Sequence, residues 1–116
     1  MADEIKKLTE RIVKFRDERN WKQFHKPKDL AISLSLEAGE VLEHFQWKSE
    51  QEIAEYVKTN KEEIADELAD VLNYVLIMAH DLNIDLADAQ EKKIIKNRKK
   101  YPIEKALGNS AKYDKL

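Results

Sequence analysis

Cysteine is absent from the 116-residue chain, and glycine and proline each occur only twice. Without cysteine there is no disulfide framework and no thiolate metal site, which fits a reducing compartment. So few glycines and prolines, among many Lys, Glu, Ala, Leu and Ile residues, favour long helices with short connections. The length suits one domain. We therefore expect a single all-α domain over residues 1–116, with an irregular tail over about residues 103–116.

Long apolar runs are missing as well. The longest near-apolar run, from Val71 to Ala79, is interrupted by Asn73 and is too short to span a bilayer. The first residues, MADEIKKLTERI, lack the apolar core of a signal peptide. We expect a soluble, cytoplasmic protein that does not bind membranes.

A large excess of charge of one sign is also absent. The chain has 21 basic and 23 acidic residues, for a formal net charge of −2. A dedicated nucleic-acid binder would be strongly basic, so we expect no nucleic-acid partner. Positive charge is concentrated only in KKIIKNRKK, from Lys92 to Lys100. This run suits the C-terminal half of a helix, or contact with phosphate.

Apolar residues recur in steps of three and four from Ile5 to Phe15, which is typical of a helix. The same spacing predicts five helices, over about residues 3–20, 29–47, a short segment after Ser49, 61–82 and 86–101. An antiparallel bundle of four to five helices would bring their apolar faces together.

Capping residues mark the predicted helix starts. Ser49 and Glu52 have the spacing of a capping box, and Thr59 and Glu62 repeat it. Asp85 can cap the fifth helix, and Pro102 should end it.

Two pairs of acids fall on the apolar faces of the second and fourth predicted helices. Glu37 and Glu40 are three residues apart, as are Glu67 and Asp70, so each pair points to one side of its helix. Burying one carboxylate costs on the order of several kcal/mol, and four that face one another cost more. A cation would remove that cost. The alternative is a solvated surface with acids paired to lysines, but two matched pairs favour a metal site.

Four oxygen ligands without sulfur favour Mg²⁺, with Mn²⁺ as a substitute. A di-iron bundle would require Glu-x-x-His pairs, which the chain does not contain. Mg²⁺ held by few protein ligands usually binds substrate phosphates as well. The expected chemistry is metal-assisted attack of water on a phosphoanhydride.

Three aromatic residues accompany these acids in the sequence. Trp21, Trp47 and Tyr74 would ordinarily be core or interface aromatics. Trp47 and Tyr74, however, fall on the same predicted helical stripes as the acids, where rings offer a stacking surface for a nucleobase.

At these residues the chain resembles the MazG-type, all-α nucleoside triphosphate pyrophosphohydrolases, and within them the dCTP pyrophosphatase branch. The resemblance runs from FRDERNWKQFHKPKDL through LEAGEVLEHFQWK and DELADVLNYV to NRKKYP and SAKYDKL. The family signature is an acidic E-E-x-x-E block followed by E-x-x-D, and Leu36 stands where that block has its first Glu.

The resemblance implies cleavage of a nucleoside triphosphate between the α and β phosphates, which removes unwanted nucleotides from the pool. It implies that the Mg²⁺ ligands are Glu37, Glu40, Glu67 and Asp70, with Glu37 or Glu40 activating water. It further implies a base and sugar pocket of Trp21, Trp47 and Tyr74, and phosphate contacts from Lys93, Asn97 and Arg98. Some dCTP-type members have a histidine where this chain has Ile12.

Members of that family assemble as dimers or tetramers in which a neighbouring subunit can complete the pocket, so we expect a homotetramer built as a dimer of dimers. Two alternatives stay open at this point. The first is an enzyme that acts on another nucleotide, such as dUTP or an oxidised purine triphosphate. The chain would otherwise be a non-enzymatic helical oligomerisation module.

Overall fold

The structure is a computed structural model that describes residues 2–116. Short connections join five long helices: α1 (Ala2–Glu18), α2 (Pro27–Glu43), α3 (Glu50–Thr59), α4 (Lys61–Asp81) and α5 (Leu86–Lys100). A short helix α6 (Ile103–Ala106) and two 3₁₀ turns, Lys22–Phe24 and Tyr113–Lys115, complete the secondary structure. No strand occurs over residues 2–116, so the all-α prediction is confirmed. None of the helices described is long and apolar enough to cross a bilayer.

Two of the predicted helix starts are capped as expected. The Glu52 N–H donates to Ser49 Oγ at 3.2 Å, and the Ser49 N–H donates to Glu52 Oε1 at 3.0 Å. This capping box begins α3. The Asp85 carboxylate accepts from the Asp88 N–H at 3.1 Å and begins α5.

The predicted cap at Thr59 is wrong. Helix α3 runs to Thr59, and α4 begins after Asn60, so a single residue separates the two helices. Thr59 is still helical, and its hydroxyl donates back to the Tyr56 carbonyl instead of capping α4.

The predicted bounds of α2 and of the tail also need correction. Helix α2 begins at Pro27, whose fixed φ suits the first helical position, and ends at Glu43 rather than near residue 47. Beyond Glu43 the chain tightens into turns, with the Phe45 N–H bonded to the Leu42 carbonyl at 2.9 Å. The tail is not wholly irregular, because it contains α6 and the last 3₁₀ turn.

Helix α4 is central to the fold because α1, α2 and α3 all pack against it. Over residues 3–116 the buried apolar side chains are few: Leu30 of α2, with Leu76, Ile77 and Ala79 of α4. In the same part of the chain, the buried residue of α1 is Arg16, whose Nη1 donates to Asp81 Oδ2 of α4 at 2.7 Å. A charged anchor thus supplements a small apolar core.

The isolated chain is unusually open. Its accessible surface is 9438 Å², whereas a compact monomer of this mass should expose about 6,600 Å². Its radius of gyration is 17.6 Å, against about 13 Å expected for this length. Large apolar side chains are exposed over several helices and the tail, among them Leu36, Leu42, Ile103 and Leu107. The chain therefore leaves extensive apolar surface uncovered.

The Arg16–Asp81 pair makes α1 and α4 interdependent. Burial acts to raise the pKa of Asp81, but hydrogen bonds from Arg16 and His80, with the Arg16 charge, outweigh it and lower the pKa overall. Arg16 Nε also meets Asp17 at 3.2 Å, but Asp17 is 53% exposed. Asp81 is therefore the partner that compensates the buried guanidinium.

We expect Asp81→Ala to lower the free energy of unfolding by about 3 kcal/mol, because it leaves a buried charge with one exposed partner. Urea unfolding at pH 7 and fixed protein concentration measures this. Asp17→Ala is the matched control, and its effect should stay below about 1 kcal/mol. Because the pKa of Asp81 is lowered on folding, its stabilisation is present above its ordinary pKa of about 3.9 and is lost as the pH falls through the folded value. Equal losses in the two variants would contradict this account.

Candidate functional site

Helices α2 and α4, which pack closely together, bring the predicted acids to one place. One carboxylate oxygen each from Glu37, Glu67 and Asp70 lies within 4.8 Å of the others. Glu40 approaches within hydrogen-bonding reach of both Glu37 and Glu67. We refer to these four residues as the acid cluster. Glu37 and Glu67 are half-buried, whereas Glu40 and Asp70 are exposed, so the cluster lies at a rim rather than in a closed core.

Burial and the neighbouring acids raise the pKa values of two carboxyl groups of the acid cluster. Burial, and then the neighbouring Glu40, raise the pKa of Glu37. Hydrogen bonding with Glu40, followed by burial, raises the pKa of Glu67 to about 7. Each shift means that the site disfavours negative charge in the absence of a cation.

The acid cluster also lacks protein counter-ions. Over residues 2–116, no ion pair joins any of the four carboxylates to a lysine, arginine or histidine. Glu37 Oε2 and Glu67 Oε2 are buried without a hydrogen-bond partner. Unpartnered buried carboxylate oxygens are costly, and hard oxygen donors suit Mg²⁺ or Mn²⁺. The donor set therefore fits a divalent cation, and it does not match a surface of acids paired to lysines.

A cavity of about 150 Å³ adjoins the acid cluster and shares Asp70 with it. We call it the aromatic cavity because four aromatic rings line it. Its lining residues are Ile12, Phe15, Arg16, Trp21, His25, Asp70, Asn73, Tyr74 and Ile77. It therefore offers apolar and aromatic walls directly beside a concentration of carboxylates, an arrangement that suits a flat ring attached to an anionic group.

The end of α1 positions the aromatic wall. Asn20 adopts φ 54°, a left-handed conformation that asparagine tolerates well after a helix. The chain reverses there, and the Trp21 N–H donates to the Arg16 carbonyl at 3.2 Å. The Trp21 and Phe15 rings then meet edge to face, with centroids 5.7 Å apart. On the other side, His25 and Tyr74 are also edge to face, at 6.4 Å.

The other predicted site residues lie outside the aromatic cavity. Trp47 is 87% exposed and follows the end of α2, so the helical stripe that placed it beside Glu37 does not extend that far. Lys93, Asn97 and Arg98 are on α5, where Lys93 and Arg98 are exposed and Asn97 is half-buried. The roles proposed for these four residues stay predictions.

Sequence reasoning missed three polar residues of the aromatic cavity: Arg16, His25 and Asn73. Burial, and then the Arg16 charge, lower the pKa of His25, although Asp81 acts in the opposite direction. Its Nδ1 is buried without a partner. Two features of the sequence could have indicated such residues. Arg16 lies beside the apolar positions of α1, and Asn73 interrupts the apolar run of α4.

A larger groove, of about 490 Å³, lies between the start of α1 and the connection from α4 to α5. None of the predicted site residues lines it. Its size therefore does not make it a stronger candidate than the smaller aromatic cavity, which adjoins the acid cluster.

Comparison with known proteins places the chain among relatives of similar sequence. The chain is 40% identical over 106 residues to mouse dCTP pyrophosphatase 1, and this match covers 90% of the chain and 62% of that protein. The human dCTP pyrophosphatase 1 is 39% identical over the same length and coverage. The chain thus spans 62% of the length of these curated relatives.

A crystal structure of a pyrophosphatase from Archaeoglobus fulgidus has a similar fold. Its TM-score is 0.80 at 40% sequence identity, over 85% of this chain and 93% of that chain. A model of the MazG-like family matches residues 32–116, which include the whole acid cluster. The chain therefore belongs to the MazG-like family.

Proposed function

We propose that this chain hydrolyses a deoxynucleoside triphosphate between the α and β phosphates, to the monophosphate and pyrophosphate, in a Mg²⁺-dependent reaction. The observation that carries the proposal is the meeting of Glu37, Glu67 and Asp70 oxygens within 4.8 Å, beside an aromatic cavity. Similarity to two proteins named dCTP pyrophosphatase 1 supports dCTP or a modified dCTP as the substrate. The role would be removal of such nucleotides from the cytoplasmic pool.

The acid cluster would hold the cation through Glu37, Glu40, Glu67 and Asp70. When bound, Mg²⁺ neutralises phosphate charge and polarises the phosphoryl oxygens, and Mn²⁺ is a chemically similar substitute. The raised pKa values of Glu37 and Glu67 support this assignment, because a bound cation would stabilise the ionised carboxylates that burial and the neighbouring acids disfavour.

A carboxylate of the cluster would also act as the general base. Glu37 or Glu40 takes a proton from water as the water oxygen bonds to the α phosphorus. The bond from that phosphorus to the oxygen bridging the α and β phosphates then breaks, and pyrophosphate leaves with the bonding electron pair. Both glutamates are on α2, one turn apart, so each stays a candidate.

The aromatic cavity would receive the base and sugar. Trp21 and Tyr74 line it directly, and Trp47 completes the proposed set of rings. Lys93, Asn97 and Arg98 would contact the phosphates. Because Trp47 and α5 lie outside the cavity of one chain, we propose that a second subunit helps to bring such groups together.

The openness of the chain supports a homotetramer built as a dimer of dimers. The 9438 Å² accessible surface is roughly 2,900 Å² larger than that of a compact monomer of this mass. An excess of this size is within the range that oligomer interfaces bury. The exposed apolar side chains of α2 and the tail, among them Leu42 and Ile103, would be covered by such contacts.

Two alternatives remain distinct. Aromatic rings stack on any base, so the same chemistry on another nucleotide, such as dUTP, fits the walls of the cavity. The exposed apolar residues would also suit a non-enzymatic oligomerisation module. That module does not account for an acid cluster without counter-ions.

We expect pyrophosphate release from deoxynucleoside triphosphates in Mg²⁺ and none above background in EDTA. Each common dNTP and 5-methyl-dCTP is tested in an assay that detects pyrophosphate and does not respond to inorganic phosphate. Cytosine nucleotides should give the highest kcat/KM. If a nucleotide with another base has the highest kcat/KM, the dCTP assignment is rejected but the pyrophosphohydrolase activity stands. If no substrate releases pyrophosphate, the proposed function is rejected in favour of the non-enzymatic oligomerisation module.

We expect Glu37→Gln and Glu40→Gln each to lower kcat by at least about 100-fold, because each removes a charge that holds the cation or accepts the proton. Titration with Mg²⁺ separates the two roles. A variant that lost only a ligand recovers activity at high Mg²⁺, whereas one that lost the base does not.

Glu43→Gln is the matched control for these two variants. Glu43 is exposed at the last position of α2 and is not one of the four clustered carboxylates. Its substitution should change kcat by less than about twofold. Near-normal activity in both Glu37→Gln and Glu40→Gln would contradict the site assignment.

A further inference from the structure

The polar residues of the aromatic cavity differ in their availability to a ligand. Arg16 is committed, because it donates to Asp81 at 2.7 Å and to Asp17 at 3.2 Å. His25 has its Nδ1 buried, so that atom does not face a ligand in the cavity. Asn73 is half-buried, and over residues 2–116 its carboxamide has no hydrogen-bond partner. The Asn73 carboxamide is therefore available to donate to and accept from a ligand in the cavity.

The position of Asn73 on α4 relates it to the acid cluster. Asp70, Asn73, Tyr74 and Ile77 all line the cavity and occupy positions i, i+3, i+4 and i+7 of one helix. Such positions share one face. Asn73 lies about 4.5 Å along the helix axis from Asp70, at a rise of about 1.5 Å per residue. A molecule that extends from the acid cluster into the cavity therefore passes the Asn73 carboxamide.

Packing alone does not explain an asparagine at this position. Its neighbours in the sequence are Val71, Leu72, Val75 and Leu76, and it falls in the interior of α4. Asparagine forms helices less readily than leucine or alanine. The buried polar atoms that lack a partner over residues 2–116 do not include those of the Asn73 carboxamide, so both carboxamide atoms are open to solvent and to a ligand. A ligand with a complementary polar edge would take the place of that water.

We propose that Asn73 reads the hydrogen-bonding edge of a pyrimidine base bound in the aromatic cavity; this inference rests on the proposed function. The carboxamide oxygen accepts from the 4-amino group of cytosine, and the carboxamide N–H donates to N3. With the carboxamide turned over, the same group pairs with N3–H and O4 of uracil or thymine. The rings of Trp21 and Tyr74 hold the base, and Asn73 pairs with the polar groups at C4 and N3 of either pyrimidine.

The test compares a pyrimidine substrate with an analogue that lacks the group at C4. The analogue is the triphosphate of 2-pyrimidinone deoxyriboside, which is dCTP without its 4-amino group and dUTP without its O4 and N3–H. A site that hydrogen-bonds a substrate group rejects the analogue that lacks it. We expect the wild type to favour the better of dCTP and dUTP over the analogue by at least tenfold in kcat/KM.

In Asn73→Leu, the preference in kcat/KM for the better of dCTP and dUTP over the analogue should fall to a ratio of about three or less. The kcat/KM for the analogue itself should stay within about threefold of the wild-type value. If Asn73 had a purely structural role, its substitution would lower kcat/KM equally for the pyrimidine nucleotide and for the analogue, and their ratio would not change. Asn73→Ala is the second variant, because it removes the carboxamide without adding bulk and favours the helix. Helical circular dichroism and Mg²⁺-dependent thermal stabilisation check that each variant is folded with its acid cluster intact.

Gln90→Leu is the matched control, because Gln90 is an exposed amide on α5 that does not line the cavity. Its ratio should equal that of the wild type. Three results would overturn the Asn73 proposal while the enzyme stands: an unchanged ratio in both Asn73 variants, no wild-type discrimination against the analogue, or a purine nucleotide as the best substrate. If the wild type releases pyrophosphate from no dNTP, the proposed function itself fails and this inference fails with it.

Discussion

Repulsion among four carboxylates is the constraint on which the rest of the structure depends. Glu37 and Glu40 of α2 face Glu67 and Asp70 of α4, and no basic side chain in residues 2–116 neutralises them. Hydrogen bonding with Glu40 and burial, followed by the neighbouring negative charges, raise the pKa of Glu67 to about 7. The close packing of α2 on α4 must therefore overcome the repulsion between the carboxylates of the two helices. Such a set of oxygen donors fits a divalent cation.

The rest of the chain supplies that support with a small apolar core. Among the side chains that the structure describes, Leu30, Leu76 and Ile77 are the large buried apolar ones, and Arg16 replaces a further apolar contact with a buried ion pair to Asp81. The same Arg16 lines the aromatic cavity, and its carbonyl accepts from the Trp21 N–H. Stability and the shape of the cavity are thus coupled through one residue at the end of α1.

Much of this architecture could be predicted from the sequence. Apolar spacing located the five long helices because an amphipathic helix repeats every 3.6 residues whatever surrounds it. The i,i+3 acid pairs were evident for the same reason. The end of α2 was placed too late, because a turn with helix-like spacing follows Glu43, and this error put Trp47 on a helical face that it does not occupy.

The polar wall of the cavity could not be predicted in this way. Arg16 and His25 meet Asn73 only through the packing of α1 and the following turn on α4. Periodicity assigns each residue to a face of its own helix, but it does not state which faces meet. Nor does it reveal how much surface one chain leaves exposed, which depends on the tertiary arrangement of α5 and the tail.

The most direct test of the central claim is the thermal unfolding of the wild type and Glu67→Gln at pH 8, each in Mg²⁺ and in EDTA. At that pH the Glu67 carboxyl, with its pKa of about 7, is mostly ionised and repulsion is near its maximum. We predict that Mg²⁺ at 100 times its Kd stabilises the wild type by about 2.7 kcal/mol. Glu67→Gln should be more stable than the wild type in EDTA and gain less from Mg²⁺, whereas Glu63→Gln, an exposed acid in the first turn of the same helix, should behave as the wild type. Unfolding of the wild type at the same temperature in Mg²⁺ and in EDTA would contradict the account.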